Sequence, residues 1–149
     1  MKIFKNTSIP KNYKNSILAI GNFDGIHIGH KKVLKEAAKK AKKLKKKFGL
    51  LTFEPVPVMF FNKKIINHRI DSEHQKILNL KREKLDFIII QKFNKKFSNL
   101  SYQEFIYKIL YKRIKCKYLY VSKNFKFGKK REGNISKLKK YEKKFSFKT

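Results

Sequence analysis

The chain has 149 residues and a mass of 17.9 kDa, the size of one ordinary domain. It carries 40 lysines and arginines against 10 aspartates and glutamates, a formal net charge of +30. No apolar run approaches the roughly 18 residues of a membrane-spanning helix, Ile17–Ile20 is too short for a signal-peptide core, and the single cysteine, Cys116, cannot form an internal disulfide. Composition therefore predicts a soluble cytoplasmic protein of one domain with no membrane association.

The positive charge favours solvated lysine faces over a nucleic-acid interface. The lysines are spread along the whole chain, and arginine, the better fork for phosphates and base edges, is scarce. A basic module that binds nucleic acid through its phosphates is the alternative, and it predicts an affinity that falls steeply with salt.

The first half of the chain predicts two buried strands on either side of an amphipathic helix. Residues 1–16 are polar and irregular. Apolar runs predict strands over 16–22 and 48–53, and a stripe of apolar residues opposite lysines predicts a helix over 30–47. Residues 54–70 contain two prolines and are interpreted as a loop.

The second half continues the alternation of helices and strands. Possible capping boxes at Ser72 to Gln75 and at Ser101 to Glu104 predict a helix over 72–84 and another that follows Ser101. The remaining predicted elements are strands over 86–91 and 118–121, a loop over 122–134, a short helix near 135–144 and the start of a fifth strand over 145–149.

This alternation predicts an α/β fold with a doubly wound, Rossmann-like, mostly parallel sheet that is incomplete at the C-terminal end. In the strand order 3-2-1-4-5, the strands over 16–22 and 118–121 are neighbours, so the loops after them face one crevice. Asn124 follows the second of these strands. Its amide suits a flavin ring or a phosphate, and a turn residue with a left-handed backbone is the equal alternative.

The most informative segment is Gly-Asn-Phe-Asp-Gly-Ile-His-Ile-Gly-His at residues 21–30, which leaves the first strand and opens the first helix. Helix N-termini present N–H groups and a positive dipole to phosphates, and glycines let the backbone approach a ligand closely. His27 and His30 are one turn apart, so both imidazoles can point toward that anion. The segment predicts a nucleotide triphosphate site without a P-loop, because no G-x-x-x-x-G-K-[ST] occurs.

The two histidines have three other interpretations. A zinc site would need a third ligand from His68, His74, Cys116 or a carboxylate, and none has motif spacing, so we predict no metal site. A dinucleotide fingerprint would need G-x-G-x-x-G, which is absent. A glycine turn that happens to carry two surface histidines is the structural alternative.

Residues 21–30 resemble the nucleotide-binding signature of the bacterial FAD synthetases, in the H-x-G-H nucleotidyltransferase superfamily. Further matches to that family follow in order over about residues 17–136, at 52–57, 60–61, 69–76, 86–105, 121–128 and 131–134. Departures from its pattern are Val56 for histidine, Ser122 for glycine and Lys126 for arginine. The resemblance implies the HIGH-type nucleotidyltransferase fold and the synthesis of FAD and pyrophosphate from FMN and ATP.

The resemblance also implies roles for individual residues. His27 and His30 would be catalytic, holding the triphosphate and stabilising the charge that develops toward pyrophosphate. The residues implied to shape the nucleotide loop are Gly21, Asn22, Phe23, Asp24, Gly25 and Gly29. Those implied on the flavin side are Phe53, Pro55, Pro57, Asn124, Phe127 and Arg131. Mg²⁺ would arrive with ATP, and the partners would be the small molecules ATP and FMN.

Family members continue with an I-S-S-T-x-x-R motif and then a riboflavin kinase barrel, and residues 1–149 contain neither. We therefore expect one adenylyltransferase domain that is truncated at its C-terminus, has no riboflavin kinase activity and transfers adenylyl groups poorly. A separate riboflavin kinase polypeptide would then be a partner. A non-catalytic nucleotide or flavin binder is the competing hypothesis.

Overall fold

The computed structural model describes residues 1–64 and 71–149, and these form one parallel sheet of five strands. The strands are β1 (Lys2–Phe4), β2 (Ile17–Ile20), β3 (Phe48–Glu54), β4 (Phe87–Lys92) and β5 (Tyr118–Val121). Their order is β1-β4-β3-β2-β5, and every pair is parallel. The central strands are almost continuously buried, as expected of a parallel sheet covered on both faces. The predicted α/β, Rossmann-like class is confirmed.

Helices of the described residues connect the strands. They are α1 (Ile28–Leu44), α2 (Pro57–Phe61), α3 (Glu73–Lys81), α4 (Lys95–Ser98), α5 (Tyr102–Glu104) and α6 (Ile135–Phe145). Helix α5 continues directly into a π-helix over Phe105–Ile114, and short 3₁₀ turns span Lys11–Tyr13 and Lys129–Arg131. The exposed side of α1 carries lysines, including Lys31, Lys35 and Lys39, which agrees with a solvated lysine face.

Alternate residues of each strand feed two hydrophobic cores, one on each face of the sheet. On one face, Ile17 and Ala19 pack with Leu34 and Ala37 of α1. On the other face, Leu18 and Ile20 belong to the core that contains the buried side chains of the π-helix and Leu138 of α6. Helices on both faces make the sheet doubly wound.

The structure also corrects the sequence predictions at several elements. Residues 2–4, expected to be irregular, form edge strand β1, whose Phe4 ring packs on Tyr13 and Phe87 at centroid distances of 5.0 and 6.1 Å. Part of the predicted loop over 54–70 is helix α2, because Pro57 occupies its first turn, where a missing N–H costs nothing. The short helix α4 was not predicted, and its N-cap is Asn94, whose side chain accepts from the Phe97 amide.

Two other predictions hold only in part. The Ser101 capping box is complete, but Ser72 only accepts from the Gln75 amide, because the Gln75 side chain donates to Asn79 instead. The predicted fifth strand is reduced to one isolated parallel bridge between Tyr118 and Lys148. His68, and residues 69–70 of the family match over 69–76, lie outside the described residues.

Candidate active site

Strand register brings three loops to one edge of the sheet. β2 lies between β3 and β5, and Ile20, near its carboxyl end, pairs with Leu51 on one side and Val121 on the other. The segment that contains both histidines follows β2, Pro55 follows β3, and Asn124 lies beyond β5. The carboxyl ends of neighbouring parallel strands are where ligands bind in such sheets. The loops expected to share a crevice therefore leave the sheet side by side.

The loop after β2 is supported from below by an aromatic ring. Phe23 is only 2% exposed and packs among the core residues that contact α1. Its ring centroid lies 4.9 Å from that of His30. Gly25 has a φ of +59°, a left-handed conformation that glycine adopts without a steric cost. The structure thus places Phe23 beneath the loop after β2, as a support for the second histidine.

His27 caps the helix on which His30 stands. Its Nδ1 accepts hydrogen bonds from the amides of Gly29, at 3.1 Å, and His30, at 3.4 Å. An acceptor nitrogen carries no proton, so the neutral ring bears its hydrogen on Nε2, which is then a donor. Two of the helix amides that the sequence analysis offered to a phosphate are therefore engaged by His27 itself. A Cβ added to Gly29 would lie 3.0 Å from Cε1 of His27, so glycine at this position leaves room for the ring.

The two imidazoles are stacked and close. Their centroids are 3.8 Å apart with an interplanar angle of 23°. Burial lowers the pKa of His30 below its usual value, and the nearby His27 lowers it further, while the Gly25 backbone and the Asp24 carboxylate act in the opposite direction. The neutral form of His30 is therefore favoured, which reduces the repulsion that two adjacent positive charges would create.

Hydrogen bonds from outside the motif fix the loop at two points. Asp24 Oδ1 accepts from the Asp71 amide at 3.0 Å, and the Asp71 carboxylate accepts from Nδ2 of Asn79 at 3.0 Å. At the start of the loop, the Thr52 hydroxyl donates to the Asn22 carbonyl at 2.9 Å. Neither Thr52 nor Asp71 was predicted to have a role in the site. A buried hydroxyl residue inside the apolar run of β3 was the signal that could have identified Thr52.

The predicted flavin residues fall into two groups. Phe53 and Phe127 are buried members of the same core, where Phe53 packs near Phe93 and Phe97, and Phe127 stacks on Phe125 at 5.3 Å. Pro55, which follows a cis peptide bond, and Pro57 are half-buried, and Asn124 and Arg131 are exposed. The buried rings can shape this side of the crevice, whereas the exposed side chains are accessible to a ligand.

Helix α2 adds an apolar wall to which the sequence analysis gave no role. Phe61 is 66% exposed and lies edge-on to Phe60 and Phe93, at centroid distances of 5.2 and 5.8 Å. The Phe60 ring also contacts Phe93, at 5.3 Å. Because α2 starts three residues after β3 ends, this wall stands beside the same edge of the sheet. The adjacent pair of phenylalanines after two prolines was the available signal.

Two kinds of feature are absent from the described residues. Over residues 1–64 and 71–149, no three His, Cys, Asp or Glu side chains come together as a metal would require. In the same described residues, no helix is both long and apolar enough to span a membrane.

The fold is shared with two solved structures. A Streptococcus pneumoniae structure described as a macrolide-efflux protein superimposes with a TM-score of 0.80 at 25% identity, over 98% of this chain and 47% of that one. The pantoate-β-alanine ligase of Francisella tularensis, solved with an ATP analogue and β-alanine, gives a TM-score of 0.58 at 16% identity, over 99% of this chain and 65% of that one. The second likeness concerns the fold alone.

Sequence comparison identifies the family. Bifunctional riboflavin kinase/FMN adenylyltransferases are 39% identical in Buchnera aphidicola from Schizaphis graminum, over 99% of this chain, and 37% identical in Haemophilus influenzae, over 87%. This chain spans 48% and 42% of the length of those two relatives. The FAD synthetase family model matches residues 9–149. The chain therefore belongs to the FAD synthetase family.

Proposed function

We propose that this chain transfers the adenylyl group of MgATP to FMN, which forms FAD and releases pyrophosphate. The observation that carries the proposal is the stacked pair of His27 and His30 at the start of α1. The loop that contains this pair follows β2, and the loop that follows the neighbouring strand β5 leaves the same edge of the sheet. The names of the relatives and the matched family model support the same activity.

In the proposed reaction, a phosphate oxygen of FMN attacks the α-phosphorus of ATP. The bond between the α-phosphorus and the bridging oxygen breaks in line, and the electron pair leaves with pyrophosphate. No covalent intermediate with the protein is needed, so the protein contributes by positioning the two substrates and stabilising charge. The Mg²⁺ belongs to the substrate, since it prefers phosphate oxygens to an all-protein cage.

His27 and His30 supply the charge stabilisation. With Nδ1 of His27 occupied by backbone amides, its Nε2–H is the donor left for a phosphate oxygen. His30 stacks against that ring, and its lowered pKa disfavours two positive charges side by side at the site. Asp24 holds the loop that precedes both histidines by its hydrogen bond from the Asp71 amide.

The flavin would lie beyond β3 and β5. The apolar wall of Phe60 and Phe61 suits the face of an isoalloxazine ring, because aromatic rings stack well on flat ligands. The exposed amide of Asn124 can donate and accept at the polar edge of that ring, and Arg131 can bind its phosphate. FMN would come from a riboflavin kinase, in the same polypeptide or a separate one. The single buried cysteine favours the cytoplasm as the location of the reaction.

Direct measurement of FAD tests the proposal. Purified chain with FMN and MgATP should form FAD, and His30→Ala should slow this by roughly 10²–10³-fold, the usual effect of losing one charge-stabilising donor. His74→Ala is the matched control, since His74 is exposed on α3. A folded chain that forms no FAD would refute adenylyl transfer.

The second candidate is a nucleotide or flavin binder without turnover. It is favoured by the cap of α1, because Nδ1 of His27 already accepts from the Gly29 and His30 amides, which are then not available to a triphosphate. Calorimetry with ATP and with FMN separates the two. Binding with no FAD formed supports the binder, and no binding of either compound removes both functions.

A further inference from the structure

Lys76 is a buried charged residue that the proposed chemistry does not use. Its exposed fraction is 2%, and with Thr7, Ser16 and Thr52 it makes up the buried polar residues of the described chain. Helix α3 carries it inward, since the Ser72 cap starts the helix one turn earlier and the Lys76 amide donates to the Ser72 carbonyl. A lysine is rarely buried unless its ammonium has partners.

The ammonium of Lys76 contacts two residues near the end of β3. Nζ lies 3.3 Å from Oγ1 of Thr52 and 3.8 Å from Oε2 of Glu54. A lysine ammonium only donates hydrogen bonds, so the Thr52 oxygen must accept from it. The hydrogen of the Thr52 hydroxyl is then directed to the Asn22 carbonyl, 2.9 Å away. The contacts form a directed chain from Lys76 through Thr52 to Asn22.

The two arms of this arrangement lead to the two substrate loops. Asn22 begins the loop that carries His27, and Glu54 immediately precedes Pro55. We propose that Lys76 is a positioning residue that holds the nucleotide loop, through Thr52, and the flavin segment, through Glu54, in a fixed relation to each other. This inference rests on the proposed function for the identity of the ligands, but the contacts themselves belong to the free chain.

The two arms can be removed separately. Thr52→Val keeps the shape of the side chain and the Lys76–Glu54 pair, but it removes the hydroxyl that donates to Asn22. Thr52→Ser restores the hydroxyl and serves as the conservative rescue. Lys76→Met keeps an unbranched apolar stem, removes the ammonium and so affects both arms. Lys81→Met, on the exposed side of the same helix, is the matched control.

Isothermal calorimetry of the full chain measures ATP and FMN binding for each variant. We expect Thr52→Val to weaken ATP binding by roughly tenfold, the effect of one lost hydrogen bond in a dry site, and to leave FMN binding within about twofold. Thr52→Ser should recover most of the ATP affinity, and Lys76→Met should weaken both ligands. Equal weakening of both ligands by Thr52→Val, or no recovery in Thr52→Ser, would overturn the inference.

Amide hydrogen exchange of the ligand-free chain separates this inference from the proposed function. The Gly21 amide donates to the Leu51 carbonyl at 3.2 Å, next to the Asn22 carbonyl that Thr52 holds. In Thr52→Val this amide should exchange roughly tenfold faster, while the Ile89 amide in β4 should be unchanged. If the wild-type chain bound neither ATP nor FMN, the proposed function would be refuted. The comparison of Gly21 exchange between the wild type and Thr52→Val would still test the inference. An unchanged exchange rate of the Gly21 amide in Thr52→Val would overturn the inference. This test does not depend on whether Lys76→Met folds.

Discussion

The two nitrogens of His27 have separable tasks, and one pair of substitutions tests both. Nδ1 caps α1 through the amides of Gly29 and His30, whereas Nε2–H is the donor proposed for phosphate. His27→Asn keeps a short side-chain acceptor of the kind that caps helices well, but it removes Nε2. His27→Ala removes both groups.

Each task has an expected magnitude. Loss of a side-chain cap costs about 1 kcal/mol, which for a domain of this size lowers Tm by roughly 2–4 °C. Loss of one donor to the developing charge costs roughly 10²–10³ in kcat. His27→Asn should therefore melt within about 1 °C of the wild type, and His27→Ala should melt lower, while both lose FAD formation to a similar extent.

Circular dichroism melts and chromatographic measurement of FAD provide the two readouts. If His27→Ala melts with His27→Asn and the wild type, the Nδ1 cap does not stabilise α1. If His27→Asn forms FAD at the wild-type rate, Nε2 has no part in the reaction. Either outcome would refute the corresponding half of the reasoning.

Three further predictions concern the pH dependence and stability of the fold. Because the pKa of His30 is lowered in the folded state, its contribution to stability is present above the unfolded value of 6.5 and is lost as pH falls through the folded value. The urea midpoint of the wild type should therefore fall between about pH 7 and pH 5, and it should fall less steeply in His30→Gln. Equal slopes for the two proteins would contradict this. A Cβ at Gly49 would lie 2.0 Å from Cζ of Phe87, so Gly49→Ala should destabilise the chain by about 1–3 kcal/mol, and Phe87→Leu should recover part of the loss in a double-mutant cycle. Purely additive losses would show that the two positions do not clash. Ser101→Ala should lower the free energy of unfolding by about 1 kcal/mol, because it breaks the capping box. Ser98→Ala, which lies outside that box, is the control, and an equal loss of stability in this variant would contradict the prediction.

Most of the sheet was predictable because four of its strands are apolar runs that can be recognised from neighbouring residues alone. Uninterrupted apolar runs marked β2, β3, β4 and β5, and the alternation with helices then left few parallel orders to consider. The predicted bounds of β5 match the structure, and the β2–β5 pairing that brings two loops together is confirmed. β1 was missed because three residues are too few to show a period, and its pairing with β4 joins distant parts of the chain.

The candidate site was predictable only where its parts are close in sequence. The spacing of His27 and His30 predicted that their rings would lie together, and they do. The hydrogen bonds that hold their loop in place join residues that are distant in sequence. Thr52 reaches Asn22 and Asp71 reaches Asp24 across 30 and 47 residues, and no local pattern specifies such a pairing. Whether Asn124 and Arg131 touch a flavin stays a prediction.

Phe23 carries a consequence for how the shape of the loop is encoded. Its φ is +48°, a conformation that costs a bulky residue about 1–2 kcal/mol, yet its ring is almost fully buried, which is worth about 1.5–3 kcal/mol. The left-handed backbone of Phe23 is thus retained because burial of its ring offsets the cost of the conformation. A smaller side chain there would release the turn into an ordinary conformation, so the interior of the domain, as much as the glycines above it, dictates where the imidazoles stand.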